Sequence, residues 1–225
     1  MRTAAILPVK RFSKAKQRLG MSVADTLRLA LARAMVADVL AALADTDPIE
    51  RTIVVTSEPS VAESAHELDA LLLEDLADDG QSAAVALGIA RARADGFERV
   101  LCVPGDCPTL DPAELGALLA ANVNETVVLP DRHGTGTNGL LLAPPDAFAP
   151  SFGPDSCERH RALAHAAGVA CRVERVPSLL LDIDTGADLD ALRTRLAGHP
   201  ARALRTREVL GHSELTHPLS IKTPA

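Results

Sequence analysis

The chain predicts an α/β fold with a mainly parallel sheet, and three observations carry that expectation. Short apolar runs alternate with longer segments of helical apolar spacing along most of the chain, the pattern of βαβ units. The 225 residues, 47% of them apolar, suffice for one domain with a substantial core. Polar residues of one chemical kind recur where the apolar runs end. Right-handed crossovers bring such strand ends to one rim, where open α/β sheets bind ligands.

The elements follow in order. Residues 4–9 read as the first strand and 23–43 as a long helix, with Ser22 a suitable N-cap. The β-branched run TIVVT, residues 52–56, is the second strand. A short helix at 62–68 and a short strand at 70–73 precede a helix at 81–94 that ends near Gly96. Residues 100–103 form a buried strand, and 112–121 a helix with Asp111 as cap and Pro112 in its first position. Strands follow at 126–129 and 139–143, then a helix at 159–167 and an edge strand at 172–176. A strand at 179–183 and a helix at 187–196 close the ordered part. There is no internal repeat and no break between domains, so residues 1–207 are expected to be one domain. Residues 208–225 have little periodicity and are expected to form a flexible tail.

Composition excludes several roles. No Trp or Tyr is present and the net charge is −7. Stacking platforms and phosphate-binding surfaces for nucleic acid need the opposite, so neither a nucleic-acid nor an anionic-membrane partner is expected. No apolar run reaches membrane-spanning length, and no signal peptide is apparent. Cys102, Cys107, Cys157 and Cys171 make no CxxC pair, which argues against a zinc knuckle. A cytoplasmic protein with reduced thiols is expected. Nothing in the sequence decides the oligomeric state, and a homodimer stays open.

The chemistry gathers at the strand ends. Only four lysines occur, and Lys10, Lys14 and Lys16 fall just after the first strand. A lysine ammonium binds phosphate as a point charge. The fourth strand runs into Pro104-Gly105-Asp106, which serves a β-turn or a rim carboxylate equally well. Period-two alternation sends Asp182 and Asp184 to one face. Two carboxylates that close repel unless a cation offsets them; Mg²⁺ does so with one or two carboxylates plus substrate phosphates. Asp188 is the expected capping residue of the last helix. Two segments rich in glycine and hydroxyls, residues 131–139 and 152–160, could hold an anion, Ser156 standing just before a helix. His160 reads equally as a helix-surface residue. The loop EDLADDGQS, residues 74–82 with Gly80 and Ser82, either accepts hydrogen bonds from a purine or is solvated. Lysines, aspartates and hydroxyls without a catalytic triad fit phosphoryl or nucleotidyl transfer, where catalysis is positioning and charge stabilisation.

Five blocks together carry a family resemblance. LPVKRFSKAKQRL (7–19), VPGDCPTL (103–110), DRHGTGTNGLLL (131–142), FGPDSCERH (152–160) and LDIDTGADL (181–189) stand in that order. They resemble the guanylyltransferases of deazaflavin coenzyme F-420 biosynthesis, which use phosphoenolpyruvate or 2-phospho-L-lactate. The resemblance spans about residues 3–195. It implies the nucleotide-diphospho-sugar transferase fold, a Rossmann-like three-layer sandwich with a mixed, mostly parallel sheet. It further implies nucleotide contacts from Lys16 and Arg18, with Lys16, Arg18 and Asp106 catalytic; Lys10 and Lys14 of the same loop, and Gly80 and Ser82 of the loop 74–82, are the further nucleotide-binding candidates. Metal ligands would be Asp106, Asp182 and Asp184, the cofactor Mg²⁺. Thr137, Gly153 and Ser156 would hold the acid, Thr135 being the competing hydroxyl. Gly186 stands where the family commonly has proline, which is expected to loosen the last helix start.

The implied reaction joins GTP to a phosphorylated C3 acid and releases pyrophosphate. Arginine is preferred to lysine and alanine is abundant, a bias of G+C-rich genomes; together with the resemblance it implies phosphoenolpyruvate as the acid, with enolpyruvyl-diphospho-5'-guanosine as product, handed to the next enzyme of the pathway. The alternatives are 2-phospho-L-lactate as acid, a molybdenum-cofactor-type or sugar-phosphate nucleotidyltransferase, and a non-catalytic nucleotide-binding regulator of the same fold.

Overall fold

A computed structural model describes residues 1–121 and 124–216. Strands and helices alternate: β1 (Thr3–Val9), α1 (Asp25–Ala44), β2 (Arg51–Thr56), α2 (Ala62–Glu67), β3 (Leu71–Glu74), α3 (Gln81–Ala94) and β4 (Arg99–Cys102). Then come α4 (Pro112–Ala121), β5 (Thr126–Pro130), β6 (Thr137–Leu142), α5 (Ser156–Ala166), β7 (Cys171–Val173), α6 (Gly186–Gly198) and α7 (Leu204–Thr216). The seven strands form one sheet in the order β3-β2-β1-β4-β6-β5-β7. Every pairing is parallel except those of β6 with β4 and with β5. The mixed, mostly parallel sheet of the expected sandwich is therefore present.

Apolar side chains of β1 and β4 point alternately to the two faces. Ala5 and Leu7 pack with Val36, Leu40 and Leu43 of α1 and Leu115 and Leu118 of α4 on one face. Ala4 and Ile6 pack with Val85 and Ile89 of α3 and Cys157 of α5 on the other. Such strands read as unbroken apolar runs because both of their faces are covered. Pro8 lies beyond the last β1–β4 pair, Ile6 with Cys102, so its missing N–H breaks no ladder bond to β4. A third cluster joins Leu31 and Met35 of α1 to Leu189 and Leu192 of α6 and Leu210 of α7.

Five expectations are corrected. Residues 179–183 are not a strand. Leu179, Leu181 and Ile183 are buried, which produces the strand-like alternation, but the segment lies over the rim instead of joining the sheet. The Ile183 N–H donates to the Asp106 carbonyl at 3.1 Å. Ser22 does not cap α1: Ala24 holds that position without a side-chain hydrogen bond. Ser22 closes the preceding turn, its N–H donating to the Leu19 carbonyl at 2.9 Å. The ordered chain does not end at Arg207, since α7 runs to Thr216. Asp38 of α1 accepts the Arg205 and Thr206 N–H groups at 3.0 and 2.8 Å, serving free donors at the helix start, and Leu210 is only 5% exposed. Residues 217–225 of the expected tail lie outside the described residues.

The start of α6 is not loose. The Thr185 hydroxyl accepts the Asp188 N–H at 3.3 Å, and the Asp188 carboxylate accepts the Thr185 N–H at 2.8 Å, a reciprocal capping box. Thr185, not Asp188, is thus the N-cap. A Cβ on Gly186 would lie 2.5 Å from the Ser22 hydroxyl, so glycine here admits the loop that leads into α1.

Candidate active site

The carboxyl ends of the parallel strands open on a cavity of about 720 Å³. Because β6 runs antiparallel to β4, its beginning, at Thr137, also lies on this rim. Lys10, Lys14, Lys16 and Arg18 line one wall, with Gly80 beyond them. Thr137, Gly153 and Ser156 line another, and Asp106, Asp182 and Asp184 lie in the same cavity.

The loop after β1 is anchored by its backbone. Phe12 is buried in the core, and its N–H donates to Glu58 at 2.9 Å. The buried Arg28 of α1 reaches the carbonyls of Phe12 and Ala15. Lys16 then adopts a left-handed backbone, φ +55°, disfavoured for a residue with a Cβ. Its ammonium contacts Asp106 and lies 2.7 Å from Asp184. Arg18 reaches the other Asp184 oxygen at 2.8 Å.

The charges shape one another. Burial works against the Lys16 ammonium, but Asp106 and Asp184 outweigh it and hold its pKa above the ordinary lysine value. Burial would raise Asp184 also, yet Lys16 and then Arg18 keep it below the usual carboxylate range. Asp182 has no such cationic partner among the described residues. Burial, then the charge of Asp106, pushes its pKa up, against a hydrogen bond from Asn138 at 3.2 Å. Lys14 pairs with Asp78 at 2.6 Å, so the first-strand loop meets the loop before α3.

The carboxylate set fits a hard divalent cation. Asp106 Oδ1 is buried without a hydrogen-bond partner among the described residues, and an orphaned buried acceptor is unfavourable by roughly 1–3 kcal/mol. The described residues form no ready cage of three or more ligands. A Mg²⁺ ion held by these carboxylates would therefore have to complete its shell with water and substrate phosphates.

The other wall is built on the loop leading into α5. Gly153 has φ +118°, a backbone that an L side chain rarely adopts. The Ser156 N–H donates to the Gly153 carbonyl at 3.2 Å. Of the two threonines, Thr135 is exposed and Thr137 buried at the cavity wall. Ser82 does not line the cavity; its hydroxyl accepts the Phe152 N–H at 2.9 Å. His160 is no surface residue, being wholly buried.

Reasoning from sequence missed Arg28, Asn138 and the Arg132–Asp188 ion pair. Each acts on a partner distant along the chain, and although Arg132, Asn138 and Asp188 stand in marked motifs, nothing local to them signals these partners.

Comparison with known proteins gives the family and the fold. Residues 3–206 match the family described as "Guanylyl transferase CofC like". A phosphoenolpyruvate guanylyltransferase of Conexibacter woesei is 50% identical over 221 residues, covering 97% of this chain and 99% of that protein. One from Sphaerobacter thermophilus is 38% identical, covering 88% and 94%. A Desulfovibrio desulfuricans structure assigned as a nucleotide-diphospho-sugar transferase superposes with TM-score 0.76 at 17% identity, covering 96% of each chain. At that identity the likeness speaks for the fold alone.

Proposed function

The chain belongs to the CofC-like guanylyltransferase family, and from that premise we propose that it joins GTP to phosphoenolpyruvate in deazaflavin coenzyme F-420 biosynthesis. The observation that carries this reading is one cavity with two anion-ready walls, the Lys16–Arg18 loop and the Thr137–Gly153–Ser156 wall, and three carboxylates in the same space.

The acid's phosphate oxygen attacks the α-phosphorus of GTP. A new P–O bond forms as the bond to the β-phosphate bridging oxygen breaks, and pyrophosphate leaves with that electron pair. The nucleophile is already an anion, so no side chain has to remove a proton. Lys16 and Arg18 bind the β- and γ-phosphates and offset the charge that grows on the departing pyrophosphate. Electrostatic stabilisation of this kind is commonly the largest catalytic contribution. Thr137, the Gly153 loop and Ser156 hold the acid in line, which lowers the entropic barrier of bringing two anions together. Asp106, Asp182 and Asp184 would hold Mg²⁺, which when bound supplies further charge neutralisation at the transferring phosphate. Lys10, Lys14 and Gly80 line the nucleotide side, and Ser82 supports the acid loop from behind.

No helix among the described residues is long and apolar enough to cross a membrane. The four free cysteines suit a reducing compartment, and we place the reaction in the cytoplasm. Product release to the next enzyme of the pathway belongs to the same reading.

Pyrophosphate release from GTP and Mg²⁺ tests the proposal. Turnover is expected with phosphoenolpyruvate and slower turnover with 2-phospho-L-lactate, a difference of shape worth ~1–3 kcal/mol. Preference for 2-phospho-L-lactate would overturn the choice of acid. No release with either would overturn the enzyme.

A further inference from the structure

His160 of α5 stands directly behind the acid wall, and both of its ring nitrogens are engaged. The Ser151 N–H meets Nε2 at 3.0 Å. A backbone N–H can only donate, so Nε2 carries no proton. The ring is wholly buried, edge-on to Phe152 at 5.0 Å and beside Phe148 at 6.0 Å. Burial, with the nearby charge of Arg159, lowers its pKa to about 4, so it is neutral at physiological pH. A neutral imidazole with a bare Nε2 has its proton on Nδ1, and Nδ1 lies 3.0 Å from Thr137 Oγ1. The hydroxyl therefore accepts from the histidine and keeps its own proton to give.

We infer that His160 is a positioning residue that makes the Thr137 hydroxyl a donor toward an anionic oxygen of the phosphorylated acid, while fixing the Ser151–Gly153 loop beside it. The inference rests on the acid-site reading proposed above. It explains why a buried histidine is retained in a wall that needs no proton transfer: the fixed tautomer sets the direction of a hydrogen bond. It also selects the ligand class. A carboxylate or phosphate oxygen accepts from Thr137, whereas an amide N–H in the same place would face a second donor.

Kinetics and NMR test it. His160→Phe removes both bonds, and His160→Asn keeps an amide able to donate to Thr137. His160→Phe should raise KM for the acid about 10-fold, the loss of one directed hydrogen bond, with KM for GTP within about twofold. His160→Asn should recover most of that rise. Thr137→Val should raise the acid KM by itself, and adding His160→Phe to it should change little more, because the two act through one bond. Full additivity, with Thr137→Val effective, would overturn the positioning role and leave the acid site standing. An unchanged acid KM in Thr137→Val would overturn the acid site, and this role with it. Nitrogen-15 spectra of the wild-type protein provide a measurement that does not depend on how the variants fold. A proton on Nδ1 of His160 is expected, and a proton on Nε2 would overturn the inference.

Discussion

At the scale of single residues, the site is a balance of charges in a confined space. Asp106 and Asp184 share the Lys16 ammonium, and Asp106 retains an oxygen without a partner among the described residues. Asp106→Asn and Asp184→Asn should each lower turnover at least ~100-fold, the scale of losing a principal charge-stabilising group. Melting temperatures should move little, since both carboxylates are partly solvated and screened. Steady-state turnover at limiting Mg²⁺, read beside thermal melts, checks both halves; near-normal turnover in the two variants would refute the assignment. The lysines and Asp106 were legible because rare or charged residues stand out where an apolar strand stops. His160 and Arg28 were not. A histidine on a helix and an arginine in a helix carry no local sign of burial, and their partners, Thr137 for one and the Phe12 carbonyl for the other, come from other elements.

At the scale of elements, α7 departs most from expectation. Its apolar residues are too sparse for a clear period, and its docking depends on Asp38 far upstream. Burial raises the pKa of that aspartate even though Thr206 and Arg205 donate to it. Removing everything after Arg207 should uncover Leu31 and Met35, which pack in the cluster with Leu210. Burying one leucine is worth ~1.5–3 kcal/mol, so chemical denaturation should register a loss of at least that size. An unchanged unfolding midpoint would show that α7 adds nothing to the fold. Helices α3 and α4 were legible to the residue, the latter because Asp111 accepts the Ala113 N–H ahead of Pro112. Residues 179–183 misled because burial of alternate side chains, not pairing with a neighbour, makes a period of two. Gly186 misled for another reason: the Ser22 hydroxyl takes the space of its absent side chain.

At the scale of the whole molecule, the order of strands was hidden although their existence was not. Apolar runs announce strands, but nothing local says that β6 enters between β4 and β5 in the reverse direction. That reversal brings Thr137 to the rim that carries Lys16 and Asp106. The cavity therefore joins both halves of the sheet, and a nucleotide bound there should brace the two halves against unfolding. GTP with Mg²⁺ at 100 times the dissociation constant should add about 2.7 kcal/mol, visible as a higher melting temperature. GTP in the presence of a chelator should add much less. Equal shifts with and without the cation would count against the three carboxylates as its holders.

The left-handed backbone of Lys16 has a consequence for the evolution of the loop. With φ at +55°, glycine would be the relaxed choice, and any side chain stores ~1–2 kcal/mol of strain. Lys16→Gly and Lys16→Ala both delete the ammonium, so comparing them isolates the backbone. Lys16→Gly should be the more stable of the two by about 1 kcal/mol, the reverse of the order seen in helices, and both should be nearly inactive. Drift toward stability alone would thus erode this position toward glycine. On the proposed reading, the lysine at this position exchanges some of the loop's robustness for turnover.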